Sequence, residues 1–181
     1  MPLDALCAVL SRRSVLGGLA ASLVAAGAGR AQADIVRQLT IVRPASDEVG
    51  FSVPFWRNGA PYENGLAELD WLMRDVHAGQ VQPIDLRIYY VLALIQAEFG
   101  GRPIVVTSGY RTRATNDRLR QEGIDAARNS FHLHGQAADI KVPGVPSTRI
   151  AALGSILGIG GVGTYPSFVH VDTGPQRFWE G

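Results

Sequence analysis

The sequence predicts a mixed α+β fold in a single domain, and three observations carry that reading. Runs rich in β-branched residues, bounded by turn signals, recur along the chain. Between them, apolar residues return at the three- and four-residue spacing of amphipathic helices. No internal repeat, charge block or low-complexity linker divides the 181 residues into separate units.

Ile35 to Val42 and Gly50 to Trp56 read as the first two strands, with Asn58-Gly59 as a turn signal. Leu66, Leu69, Leu72, Met73 and Val76 share one helical face, which predicts an amphipathic helix from Glu63 to His77. His77, near the end of that helix, reads as a surface residue favoured by the helix dipole. A more apolar helix follows Pro83, from Ile84 to Phe99, and Gly100-Gly101 ends it. Its Tyr89 and Tyr90 read as packing residues. Pro103 to Thr107 is a β-branched run suited to a central strand. Thr115 to Gln121 is a short polar helix, and Ser147 is placed to cap a last helix through Leu157.

The N-terminal segment reads as a leader. Ser11-Arg12-Arg13-Ser14-Val15-Leu16 is a twin-arginine pattern, followed by a small, weakly apolar run from Gly17 to Gly29. Ala31-Gln32-Ala33 then presents a small-x-small cleavage signature. The run is shorter than the ~20 residues a spanning helix needs. The expectation is a signal peptide over residues 1–33, recognised by the twin-arginine export machinery and cleaved after Ala33. It leaves a periplasmic domain over residues 34–181 with no stable membrane span. The sole cysteine, Cys7, would leave with the signal, so the exported domain can form no disulfide and offers no thiolate ligand. Residues 34–181 hold 14 Lys and Arg against 15 Asp and Glu. That balance argues against nucleic acid as a partner, because phosphate binding needs a basic surface.

Chemistry is concentrated in two short stretches, Ser130 to Ile140 and Phe168 to Gly174. Three of the four histidines (His132, His134 and His170) fall in them. Two imidazoles and a carboxylate, from His132, Asp139 and His170, make a set that leaves a catalytic zinc one open position for water. Gly135 predicts a turn after His134, and Ala137 to Lys141 then reads as a strand with Ala137, Asp139 and Lys141 on one face. In the second stretch Val169 and Val171 face a core, while Phe168, His170 and Asp172 share the opposite face. Neighbouring strands would present Asp139 and His170 to one cleft, with His132 brought in by the turn. Arg111 lies just past the strand ending at Thr107, where its fork of donors suits a carboxylate or a developing oxyanion. A local ion pair with Asp117 is the alternative.

These residues carry a family resemblance. SGYRT at 108–112, S-x-H-x-x-G-x-A-x-D at 130–139 and GGVGTYPSFVHVDTGPQRFW at 160–179 resemble the twin-arginine-exported murein endopeptidases. That group is related to the zinc D-Ala-D-Ala carboxypeptidases and, more distantly, to the hedgehog signalling domain. The likeness takes in LAELDWLMRDVHAGQVQPIDLR from Leu66 to Arg87 and so covers most of the chain beyond Leu66. It implies a compact α+β domain with a central, mainly antiparallel sheet flanked by helices. It also implies one zinc held by His132, Asp139 and His170, with Arg111 as a substrate or transition-state contact.

Two departures qualify it. The first hairpin reads Arg43-Pro44-Ala45-Ser46-Asp47-Glu48 in place of the Asn-x-His-Thr-Gly-Glu-like stretch common in members. Ser167 and Phe168 stand where several relatives place a His or Glu as general base. Asp172 is the first substitute for that base and His134 the second, while Asp172 can equally orient His170. The resulting expectation is an exported zinc metallopeptidase acting on peptide cross-links in peptidoglycan. A D-Ala-D-Ala-type carboxypeptidase, a non-catalytic zinc-containing cell-wall module and a metal-free His–Asp network are the alternatives.

Overall fold

An eight-stranded sheet forms the spine of the computed structural model, which describes residues 36–44, 48–124 and 126–181. The twin-arginine pattern, the cleavage signature and Ala45 to Asp47 of the first hairpin lie outside the described residues. In chain order the strands are β1 (Arg37–Arg43), β2 (Glu48–Arg57), β3 (Ala60–Pro61), β4 (Ile104–Ser108), β5 (Ala137–Lys141), β6 (Gly161–Thr164), β7 (Val169–Asp172) and β8 (Arg177–Glu180). Their spatial order is β3-β2-β1-β4-β5-β7-β6-β8. Every neighbouring pair is antiparallel except β1/β4 and β6/β8. A parallel pair needs a long crossover. Between β1 and β4 it includes two helices, α1 (Glu63–Leu72) and α2 (Leu86–Glu98). The remaining helices are α3 (Arg113–Gln121) and α4 (Ser147–Leu157). No helix of the described residues is long and apolar enough to cross a membrane.

Alternation along the strands sets the two faces of the sheet. Leu39, Ile41, Phe55, Ile104, Val106, Ala138, Ile140, Val169 and Val171 are buried in one apolar core. Ile88, Tyr89, Leu92 and Ile95 of α2 enter the same core, as do Leu69 and Leu72 of α1 and Ile150 of α4. Tyr89 and Tyr90 are packing residues, as expected: Tyr90 meets Phe55 edge-on, and Tyr89 donates its hydroxyl to Asp70 at 2.6 Å. Each fully buried side chain of this kind contributes on the order of 1.5–3 kcal/mol. The opposite face, carrying Asp139 and His170, is left to the cleft.

Helix boundaries depart from the periodic reading where side chains compete for the backbone. The helix expected to reach His77 stops at Leu72, and the chain doubles back through an Asp75–Gln80 bridge. Asp75 explains the stop. Its carboxylate accepts from the backbone of His77 and Ala78, and from the backbone and hydroxyl of Thr112. Such local bonds offer the chain an alternative to the helical ladder. Asp85 moves the start of α2 to Leu86 by accepting from the Arg87 amide. Thr112 does the same for α3, capping it through the Thr115 amide. Ser147, expected as a cap, is the first residue of α4, and Pro146 holds the cap position without a side-chain bond.

Burial alone would raise the Asp75 pKa, but hydrogen bonds from Thr115, Thr112 and Ala78 outweigh it and hold the carboxyl below its usual value. The sign follows: the stabilisation is present above the unfolded value of about 3.9 and is lost as pH falls through the lower folded value. Asp75→Ala is expected to cost about 1–3 kcal/mol at pH 7, because buried donors lose their acceptor. Urea unfolding of both proteins at pH 7 and pH 3 checks this, with the difference shrinking at the lower pH.

Candidate metal centre

Strand register places the first two site residues. Asp139 on β5 is directly paired with His170 on β7, and both point away from the core. His132 arrives from a 3-10 turn, Phe131–His134, that precedes β5. Ser130 caps that turn, and Gly135 ends it in the left-handed conformation at φ 64°. The turn is held against the loop after β4, because the Arg111 amide donates to the His132 carbonyl at 3.1 Å.

Three atoms converge. His132 Nε2 lies 3.2 Å from Asp139 Oδ1 and 3.2 Å from His170 Nδ1, and His170 Nδ1 lies 2.9 Å from the same carboxylate oxygen. The far sides of both rings are already committed. His132 Nδ1 donates to the Gly109 carbonyl at 2.6 Å, and His170 Nε2 donates to Asp172 Oδ2 at 2.9 Å. Each ring thus turns a lone pair toward the other ring and toward the Asp139 carboxylate. Three facing acceptors need protons or a cation between them. Bond lengths near 2.0–2.1 Å place the ligands of a tetrahedral zinc about 3.3 Å apart, which is close to the spacings of this cluster. The donor set, two imidazoles and a carboxylate, suits zinc.

Electrostatics favour the ligating forms of His132 and Asp139. Burial pushes the His132 imidazole below its usual pKa, so its neutral form is preferred despite Asp139. Burial would raise Asp139, yet His132 and His170 hold it well below the ordinary carboxylate range. Burial would lower His170, but its bonds to Asp139 and Asp172 raise it. Asp172 is fully enclosed and accepts from His170, from both terminal nitrogens of Arg177, and from the amides of Gly161 and Gly174. Against the cost of burial, those donors keep it charged.

Arg111 is bound not to Asp117 but to Asp139 Oδ2, and its Nε donates to Ser108 Oγ at 2.7 Å. Its guanidinium therefore sits against the cluster, on the oxygen that does not face the imidazoles. His134 is not brought in: it is exposed at the end of the 3-10 turn and does not line the cleft. Asp172 reaches the site only through the far side of His170.

The cluster opens on a cleft of about 580 Å³. One wall is aromatic. Tyr165 and Phe168 stack at 4.4 Å, Trp179 donates to the Tyr165 hydroxyl at 3.1 Å, and the Trp179 indole leans on His170 at 5.3 Å. Gly163 faces both His170 and Trp179 in the sheet, and any Cβ there would collide with the indole. The sequence reading missed Arg177 and Trp179 as site residues. Both lie in β8, whose short run offers no periodic signal, and only its parallel pairing with β6 brings it to the cleft.

Comparison with known proteins matches the sequence to a family. The family described as Peptidase_M15_2, peptidoglycan L,D-endopeptidase MepK, matches residues 31–179. A probable peptidoglycan L,D-endopeptidase MepK of Haemophilus influenzae is 41% identical over 120 residues, covering 64% of this chain and 64% of that protein. The peptidoglycan L,D-endopeptidase MepK of Escherichia coli K12 is 38% identical over 117 residues, covering 63% of this chain and 64% of that protein. The matched segment spans less than two thirds of either relative. With 31–179 matched end to end, the chain belongs to the Peptidase_M15_2 family.

Proposed function

We propose that this chain is an exported zinc metallopeptidase that hydrolyses peptide cross-links in peptidoglycan. The observation that carries the reading is the convergence of three lone-pair donors, from His132, Asp139 and His170, at the mouth of a cleft. A structural zinc is normally enclosed by four protein ligands, whereas this set offers three. The names of the relatives point to L,D-cross-links as the bonds cut.

When bound, zinc would supply a water of lowered pKa and a Lewis acid for the scissile carbonyl. The chain's own residues do the rest. His132 Nε2, Asp139 Oδ1 and His170 Nδ1 would hold the metal. Gly109 and Asp172 fix the two ring orientations by accepting from the opposite nitrogens. Arg111 holds the second oxygen of Asp139 and places positive charge beside the reacting carbonyl. The aromatic wall packs against the aliphatic part of the peptide and keeps bulk water from it.

Incubating the mature protein with cross-linked muropeptides, with zinc and with chelator, tests the proposal. Zinc-dependent release of uncross-linked products is expected. A protein that binds zinc and peptidoglycan but releases nothing would be a cell-wall binding module instead.

Two further outcomes follow from this reading. Asp172 has no exposure and is saturated with donors, which supports an orienting role over a proton-accepting one. Asp172→Asn is therefore expected to weaken zinc affinity about 10–100-fold while leaving appreciable turnover at saturating zinc. Loss of turnover with zinc retained would make Asp172 the base. For export, the twin-arginine machinery and a periplasmic destination are proposed from Arg12-Arg13 and Ala31-Gln32-Ala33. Changing both arginines to lysine is expected to leave the uncleaved precursor in the cytoplasm, as fractionation would reveal.

A further inference from the structure

Beside the metal cleft lies a second cavity, of about 570 Å³, lined by Arg113, Asp117, Arg120, Gln121, Arg128 and Asn129. Asn129 also lines the metal cleft, so the two hollows are neighbours on the surface. Arg113, Asp117, Arg120 and Gln121 stand at helical spacing on one face of α3, and Arg128 and Asn129 come from the loop that leads to His132.

Every described lining residue is polar, which disfavours an apolar occupant. Three guanidiniums face one carboxylate among the described residues, so the cavity repels cations. That carboxylate, Asp117, is 3.8 Å from Arg120 and partly offsets it. Arg113 is fixed by donating to the Arg128 carbonyl at 2.6 Å, which tethers α3 to the loop and leaves its other nitrogens without a partner among the described residues. The Arg128 guanidinium makes no ion pair or hydrogen bond among the described residues. Planar forks of this kind match carboxylates. With no excess of basic over acidic residues across 34–181, a long polyphosphate chain would meet repulsion elsewhere on the surface.

We propose that Arg113, Arg120 and Arg128 form a carboxylate-binding subsite that anchors a free acid group of the peptide lying across the metal cluster. This rests on the peptidoglycan reading above for the identity of the peptide, but not on hydrolysis itself. The subsite lies in a cavity separate from the metal cluster, so its contribution is to holding substrate. Its loss raises KM and leaves kcat unchanged.

The test uses calorimetric titration of the mature protein, in chelator, with a stem peptide carrying free carboxylates and with the same peptide amidated. The acid form is expected to bind more tightly. Arg120→Gln with Arg128→Gln, both exposed positions, is expected to weaken the acid form roughly tenfold, the scale of one charge-assisted bond. Arg128→Gln alone, with an unchanged melting temperature, guards against misfolding as the cause. Equal affinity of wild type and the double variant for the acid peptide overturns the proposal, whether or not the enzyme cuts anything. Phosphatidylglycerol vesicles are the second probe: arginine-dependent vesicle binding with no preference for the acid peptide also overturns it, in favour of a lipid headgroup. A peptide-binding protein that shows the acid preference but cleaves no cross-link would keep this subsite and remove the peptidase reading.

Discussion

His170→Ala is expected to abolish hydrolysis and to lower zinc affinity by more than about 100-fold. The lower bound comes from orienting partners, whose loss costs about 10–100-fold; a direct ligand exceeds it. His170 supplies one of three convergent donors and is the most exposed of them, its side chain 12% exposed against 7% for Asp139 and 2% for His132. The substitution also strands Asp172, whose bonds to Arg177, Gly161 and Gly174 would remain without the imidazole. Elemental analysis after dialysis, beside the muropeptide digest, measures both effects. Full zinc occupancy in the variant would remove His170 from the ligand set.

Arg111→Ala is expected to reduce turnover at saturating zinc by roughly 10²–10³, the scale of losing one oxyanion donor. Because Arg111 also holds Asp139, zinc affinity should fall about 10–100-fold in the same variant. Measuring turnover across a zinc series separates the two contributions. If activity returns fully once zinc is saturating, Arg111 acts through Asp139 alone. Arg111→Lys discriminates further: it keeps the charge but loses the fork that spans Ser108 and Asp139.

How far the sequence was legible depends on the range of the interaction that decides each feature. Alternation along Ala137 to Lys141 and Phe168 to Asp172 has a period of two, so the faces carrying Asp139 and His170 could be read directly, and the strands are indeed neighbours. The apolar side of the sheet was legible for the same reason, and the β-branched run at Pro103 to Thr107 correctly marked a central strand. Helix ends were less so, since Asp75, which takes the His77 and Ala78 amides, is itself held by Thr112, thirty-seven residues away. Long-range pairs were invisible: Arg111 meeting Asp139 rather than Asp117, and β8 arriving beside β6, depend on topology that no local pattern encodes. His134 illustrates the converse. Its position two residues from His132 suggested a shared site, but a 3-10 turn points neighbouring side chains apart.

The pairing of Asp139 with His170 has one more consequence. A strand slipped by a single residue would turn its side chains to the other face of the sheet. A slipped β7 would offer Val169 or Val171 to the cleft and push His170 into the apolar layer. The full trio then forms in one register only: a slipped β7 leaves His132 beside Asp139 but carries His170 away from them. An ion captured by this trio would act as a proof-reader of the sheet, rewarding one alignment among several and withholding its binding energy from the rest.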